Sequence, residues 1–234
     1  MTSGHDHHDE HHDHHDEHHE HHEHEHGHGN AHDRGWRGSL RYARLLAKMW
    51  RSPVSDAVVA LVAARPGERL VDIGAGMGPA TVAAAKTGAT VIAVEPTPFM
   101  RRILRTRRLW QRARSRITVI DGAAEAMAID DASVDALWAV NVMHHWTNLD
   151  AAVHEIHRVV RCGARVYLVD EDFDDPGHPL FEEMRARRAQ HHHAFDDIDP
   201  HDVAARLQSL GFTSSTGSFE HIAGRPAKVV RGIS

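Results

Sequence analysis

Val71-Asp72-Ile73-Gly74-Ala75-Gly76-Met77-Gly78-Pro79-Ala80-Thr81 is the stretch that decides the fold. A short apolar run (Leu70, Val71, Ile73) ends in three glycines at alternate positions, and a helix is expected to follow. Pro79 suits a first helical turn, because the N–H it lacks would have no intrahelical partner there. Glycine lets the chain turn sharply and lets a ligand lie directly against the backbone. The stretch predicts strand, loop and helix around a nucleotide-like cofactor.

The spacing narrows that cofactor. A dinucleotide fingerprint needs G-x-G-x-x-G, with the helix N-terminus aimed at a pyrophosphate. Here the pattern is Gly74-x-Gly76-x-Gly78, preceded by Asp72. Thr90–Val94 reads as the next strand and ends in Glu95, about twenty residues past the first glycine, where an acid can hold ribose hydroxyls. This D-x-G-x-G-x-G with a following acid resembles the class I S-adenosylmethionine-dependent methyltransferases, of the small-molecule, type 11 kind.

The resemblance extends along the chain. Val134–Val140 reads as a strand followed by Asn141-Val142-Met143-His144-His145-Trp146. Similar methyltransferases carry a His-His-Trp segment after the fourth strand, then a helix with Glu-x-x-Arg, a Pro-Gly-Gly turn and a fifth strand. Here the helix holds Glu155 and Arg158, the turn is Cys162-Gly163-Ala164, and Arg165–Asp170 is the strand. The resemblance implies a Rossmann-like α/β fold: a doubly wound, mostly parallel seven-stranded sheet, helices on both faces and a C-terminal antiparallel strand pair.

It also implies roles. Gly74, Gly76 and Gly78 would approach S-adenosyl-L-methionine closely, Glu95 would hold its ribose, and Asp72 would fix the loop and the amino end. Ala123 and Ala124 would face the adenine, the latter through its N–H, and Asn141 would lie near the sulfonium. His144 and His145 are the candidate bases, since imidazole titrates near neutrality; the pair also serves as packing and loop structure. Two departures stand out. Where relatives have Gly-Asp-Ala-Glu, this chain has Gly122-Ala123-Ala124-Glu125, so the carboxylate that meets the adenine amino group is missing. Asp121 comes one residue early and is expected to point elsewhere. Cys162 replaces the turn proline.

Composition sets the class. The chain has 234 residues, of which 41% are hydrophobic, enough for one substantial core. The lone Cys162 rules out an intrachain disulfide framework. The longest apolar run, Ala57 to Ala64, is eight residues, far short of a membrane span. The first residues are polar from Thr2 onward, which argues against a secretory leader. The expectation is a soluble cytoplasmic enzyme.

The net charge of −6 conceals two parts. Residues 1–34 hold ten acidic residues against one arginine, and the remainder carries a net +3. Fifteen of the 25 histidines lie between His5 and His32, repeating as His-His-Asp or His-His-Glu. Such a segment has no apolar residues to bury and is expected to be a disordered tail, residues 1–34, preceding a methyltransferase domain at 35–234. Imidazole suits Zn²⁺, Ni²⁺, Co²⁺ and Cu²⁺. The candidate ligands are His5, His7, His8, His11, His12, His14, His15, His18, His19, His21 and His22, with Ni²⁺ or Zn²⁺ the expected ion.

Further along, Leu40, Tyr42, Leu45, Leu46, Met49 and Trp50 fall at helical spacing, in a helix that either caps the cofactor or packs on the core. Pro53 starts another helix, with Pro66-Gly67 expected to stop it. Eight arginines between Arg101 and Arg116 read as a solvated helix face rather than a nucleic-acid surface, with docking of the acidic tail as a further reading. Glu171–Asp175 is an acidic loop at a strand's carboxyl end, with Asp172 a candidate to orient an acceptor amine. Helices are expected over 179–193 and 200–210, and strands over 212–222 and 227–230. The leading reading is a methyltransferase acting on a small-molecule acceptor. The alternative is a metal-handling (Ni, Zn or Co) protein with a non-catalytic methyltransferase-like body. A nicotinamide oxidoreductase is disfavoured by the missing G-x-G-x-x-G.

Overall fold

The computed structural model describes residues 53–190 and 198–234. The histidine-rich segment with its proposed metal ligands, the Leu40–Trp50 helix and His191-His192-His193 lie outside the described residues.

Five strands run parallel: β1 (Arg69–Ile73), β2 (Thr90–Val94), β3 (Ile117–Ile120), β4 (Val134–Val140) and β5 (Val160–Glu171). The last two, β6 (Thr213–Ile222) and β7 (Arg225–Ile233), form a hairpin whose β7 is antiparallel to β5. The order is β3-β2-β1-β4-β5-β7-β6, the expected doubly wound sheet. It reverses direction of build between β1 and β4, so the crevice for a ligand opens at their carboxyl ends.

The described helices are α1 (Pro53–Val62), α2 (Pro79–Lys86), α3 (Pro98–Leu109), α4 (Leu149–Val159), α5 (Phe181–Gln190) and α6 (Pro200–Ser209). Strand alternation sends side chains to opposite faces. Leu70 therefore packs with Val54, Val58 and Ala80 of α1 and α2. Val71 and Ile73 join Ile156, Val159 and Leu207 of α4 and α6. Burial on both faces is why these parallel strands read as nearly continuous apolar runs. Asn148 caps α4 by accepting from the Ala151 N–H at 3.0 Å, and Asp199 caps α6 through the His201 N–H at 2.8 Å.

Three local expectations are corrected. The supposed turn at Cys162-Gly163-Ala164 is a bulge inside a longer β5: Val134 pairs with Val160, but Ala136 pairs with Arg165. Gly163 takes φ +77° there, and Asp135 accepts the Arg69 N–H at 2.6 Å and pairs with Arg161. Next, α1 ends at Val62, with Ala63 at φ +50°, before Pro66 is reached. Finally, the arginine helix is not solvated all round. Arg101 is buried and donates to the Glu95 and Pro96 carbonyls at 2.7 and 2.6 Å and to Asp121 at 2.7 Å. Arg107 and Arg108 hold the carbonyls of Met77 and Ile117 at 3.0 and 2.8 Å.

Candidate cofactor and acceptor site

Gly74, Gly76 and Gly78 all take left-handed φ, at 63°, 53° and 75°. The reasons for glycine differ among them. A Cβ on Gly74 would meet Val142 at 2.4 Å, and one on Gly78 would meet Leu104 at 2.1 Å. Those two let the loop nest on the protein itself. Among the described residues, a Cβ on Gly76 would meet nothing nearer than the Gly74 carbonyl at 4.0 Å. Gly76 thus presents the open side of the loop, and it is the glycine that a ligand would cover. The Ala75 N–H donates to the Val94 carbonyl at 3.0 Å and fixes the loop against β2.

Glu95 closes this pocket from the end of β2. Its buried carboxylate accepts the Gly76 N–H and the Thr97 N–H, both at 2.8 Å. A carboxylate offers about four acceptor positions, so capacity remains for ribose hydroxyls. Asp72 points the other way, beneath α2, and accepts from the Thr81 hydroxyl at 2.5 Å. Burial pushes its carboxyl up to about 7, with the Thr81 bonds opposing and the Glu95 charge adding. The Thr81 hydroxyl bond ties the end of β1 to the first turn of α2.

After β3 the chain makes a tight turn, in which the Ala126 N–H donates to the Ala123 carbonyl at 3.2 Å. The Ala124 side chain is buried among Val94, Met127 and their neighbours. Asp121 turns out to pair with Arg101, with its side chain 72% exposed, so it does not replace the carboxylate missing at Ala123. Glu125 ties this turn to the loop after β4 by accepting the Thr147 N–H at 2.7 Å.

The loop after β4 is where the two candidate bases separate. A turn of 3₁₀ helix at Met143–His145 lies over the end of β5. Asp170 sits buried under it and accepts the N–H groups of Val142, Met143 and His144 at 2.9, 3.3 and 3.1 Å. Its carboxylate is also 2.7 Å from His144 Nδ1. Burial works against the charged form, but the bonds and charge of His144 with the two backbone donors outweigh it and hold the carboxyl below its ordinary value. An ionised carboxylate can only accept, so Nδ1 carries the proton and the basic lone pair of the neutral ring is on Nε2. His145 is exposed, its ring 4.1 Å from that of His144 and tilted by 50°.

Asn141 takes φ +57°, which is rare for a residue with a side chain. Its carboxamide donates to Glu171 at 2.9 Å and accepts the Glu171 N–H at 2.6 Å. Glu171 also holds Arg225 at 2.6 Å and the fully buried His178 at 3.0 Å. His178 Nδ1 accepts the Leu180 N–H, so its proton is on Nε2 and faces the carboxylate. Burial opposes ionisation of Glu171, but Arg225, His178 and Asn141 together draw its carboxyl below the usual range. The carboxylate of Asp172, the candidate for an acceptor amine, accepts the Asp174 N–H at 3.2 Å, and its own N–H donates to the Pro226 carbonyl at 2.8 Å. Sequence reasoning missed Asp170, His178 and Arg225 as site residues. The legible signal was an acid pair, Asp170-Glu171, closing an apolar strand at its carboxyl end.

A strand-order reversal with a glycine loop at its crevice and an acid closing the next strand is the ligand-binding arrangement of open α/β sheets. Residues 71–168 match the family model described as Methyltransferase domain. Over 101 residues the chain is 37% identical to an uncharacterized methyltransferase of Mycobacterium tuberculosis, covering 43% of this chain and 39% of that protein. Over 105 residues it is 31% identical to the methyltransferase GfsG of Streptomyces halstedii, covering 44% and 38%. The chain thus spans about two fifths of the length of these relatives. Among solved structures, a SAM dependent methyltransferase from Aquifex aeolicus superposes with a TM-score of 0.58 at 16% identity, over 76% of this chain and 88% of that one. Residues 71–168 are thus similar in sequence to a methyltransferase domain, and the sheet shares its fold with the Aquifex aeolicus enzyme.

Proposed function

We propose that this protein transfers a methyl group from S-adenosyl-L-methionine to a small-molecule acceptor. The observation that carries the reading is Gly76: the loop's other two glycines are filled by protein, while this one faces open space beside the Glu95 carboxylate. When bound, S-adenosylmethionine supplies a methyl group already activated by its sulfonium. Gly76 would take the cofactor against its backbone, and Glu95 would accept from its ribose hydroxyls. Backbone groups at Ala123 and Ala124 would hold the adenine without a carboxylate, which predicts looser adenine recognition. Asn141, fixed by Glu171, shapes the end of β4 where the methionine portion would lie. The protein's largest contribution is positioning donor and acceptor in line.

His144 is the proton acceptor for substrates that must lose a proton. Asp170 fixes its tautomer and stabilises the imidazolium that forms. His145, exposed to solvent, helps shape the loop. Residues 1–34 would bind divalent metal, Zn²⁺ or Ni²⁺, through the His5–His22 imidazoles, a reading supported by composition.

Calorimetric titration of S-adenosylhomocysteine into chelator-treated protein tests the cofactor site, with Gly76→Arg as the partner experiment. Binding in the micromolar range, lost in the variant, is expected. Absence of binding at millimolar ligand would sink the reading.

A further inference from the structure

Between Pro96 and Ile120 the chain carries eight arginines and no acidic residue. Arg101, Arg107 and Arg108 face inward and lock α3 onto the carbonyls of Glu95, Met77 and Ile117. The other five, Arg102, Arg105, Arg112, Arg114 and Arg116, are exposed, and among the described residues none of them makes an ion pair. Between them stand Leu109, 59% exposed, and Trp110, 83% exposed. The turn that carries these residues is ordered: the Trp110 N–H donates to Arg107 at 3.2 Å and the Gln111 N–H to Arg108 at 2.9 Å. A large aromatic and a large aliphatic side chain are thus held out in water by a rigid base, beside guanidinium groups that have no countercharge among the described residues.

We propose that the outer face of α3 with the turn after it, Arg102, Arg105, Leu109, Trp110, Arg112 and Arg116, docks the protein on an anionic phospholipid surface. Guanidinium groups bind phosphate oxygens in planar, paired geometry. Tryptophan settles at the boundary between headgroups and acyl chains, and leucine beside it adds apolar area that enters the same boundary. Charge complementarity commits the face to a polyanion, and the apolar pair decides which one. Leu109 has no ring to stack on a base, and the patch is the end of one helix rather than a groove that tracks a strand. Attachment of this kind is peripheral; among the described residues no helix is long and apolar enough to cross a membrane. The site lies at the β2–β3 edge, away from the His144–Asp170 pair, so docking leaves the acceptor side of the crevice open.

The test is sedimentation of the full chain, in EDTA, with vesicles of phosphatidylcholine alone or mixed equally with phosphatidylglycerol. Binding is expected only to the mixed vesicles, and raising salt to 0.5 M should weaken it about tenfold or more. Arg102→Glu with Arg105→Glu, and separately Leu109→Ser with Trp110→Ser, should each lower partitioning about tenfold. Both pairs are surface positions, and unchanged S-adenosylhomocysteine binding would show that the fold survives. Binding that ignores lipid charge, or that both double variants retain, overturns the proposal. So does failure to bind mixed vesicles while a single-stranded RNA binds in the same buffer, which would make the face a nucleic-acid surface.

Discussion

Asp72 and Asp170 are both buried carboxyls within a few residues of the crevice, yet their surroundings drive them in opposite directions. Asp72 has donors from Thr81 and Trp138 but no cation among the described residues, so burial dominates and its carboxyl is raised to about 7. The unfolded chain releases that proton near 4, so between about pH 4 and pH 7 the folded state binds more protons. Stability from this group therefore falls as pH rises across that window and stays low above it. From pH 5 to pH 7 the loss is about 2 kcal/mol. Asp72→Asn should remove this slope, so the gap between variant and wild type in urea unfolding should move in the variant's favour on going from pH 5 to pH 8. An unchanged gap would mean that Asp72 is ionised at its site. Asp170 is the reverse case, a carboxyl held low by His144 and backbone donors, so its stabilisation is present at neutral pH and lost only as pH falls below the ordinary aspartate range. With an acceptor that must lose a proton, His144→Gln is expected to lower kcat about a hundredfold, whereas His145→Gln should stay within about threefold. S-adenosylhomocysteine affinity should hold in both. Equal losses in the two variants would contradict the assignment of the base.

At the scale of elements, legibility followed chemistry that is local in sequence. The glycine loop, Pro79 at the start of α2 and the acid closing β2 were all readable, because each depends on backbone demands within a few residues. The His-His-Trp segment was readable as a loop after β4, but the contact of His144 with Asp170 was not, since Asp170 lies 26 residues away in sequence. Arg101 was unreadable for a related reason. Eight arginines in one segment suggest a wet face, and only the fold reveals that one of them reaches back over the start of its own helix to three oxygens. The Cys162-Gly163-Ala164 segment was misread because a positive-φ glycine serves a bulge as well as a turn. Arg101 also yields the clearest element-level expectation. Arg101→Met keeps the aliphatic stem but strips donors from the Glu95 and Pro96 carbonyls, so it should cost about 2–3 kcal/mol. Because those carbonyls set the direction of Glu95, cofactor affinity should weaken in the same variant. Loss of stability with unchanged affinity would confine Arg101 to a packing role.

For the molecule as a whole, the sheet must be extended beyond its parallel half to bury β5, and the hairpin β6–β7 does this by running antiparallel against it. That places Asp170 and Glu171 on an interior strand, paired to Lys228 and Ala227, and brings Arg225 to the Glu171 carboxylate. The acceptor side of the crevice therefore depends on the position of the last two strands, far from it in sequence. The tightest point in that arrangement is Gly217 on β6. A Cβ there would stand 2.1 Å from the Pro200 carbonyl oxygen and 2.5 Å from the His201 N, both backbone atoms at the start of α6. Backbone cannot rotate away as a side chain can, so α6 or β6 must shift as a body. Gly217→Ala is expected to cost about 3 kcal/mol or more, measured by urea unfolding. The register of β7 on β5 should loosen with it, so amides of β7 should exchange with solvent faster in the variant, while those of β1 and β2 should keep their protection relative to global stability. Uniform loss of protection across the sheet would show instead that the parallel half and the hairpin unfold as one unit.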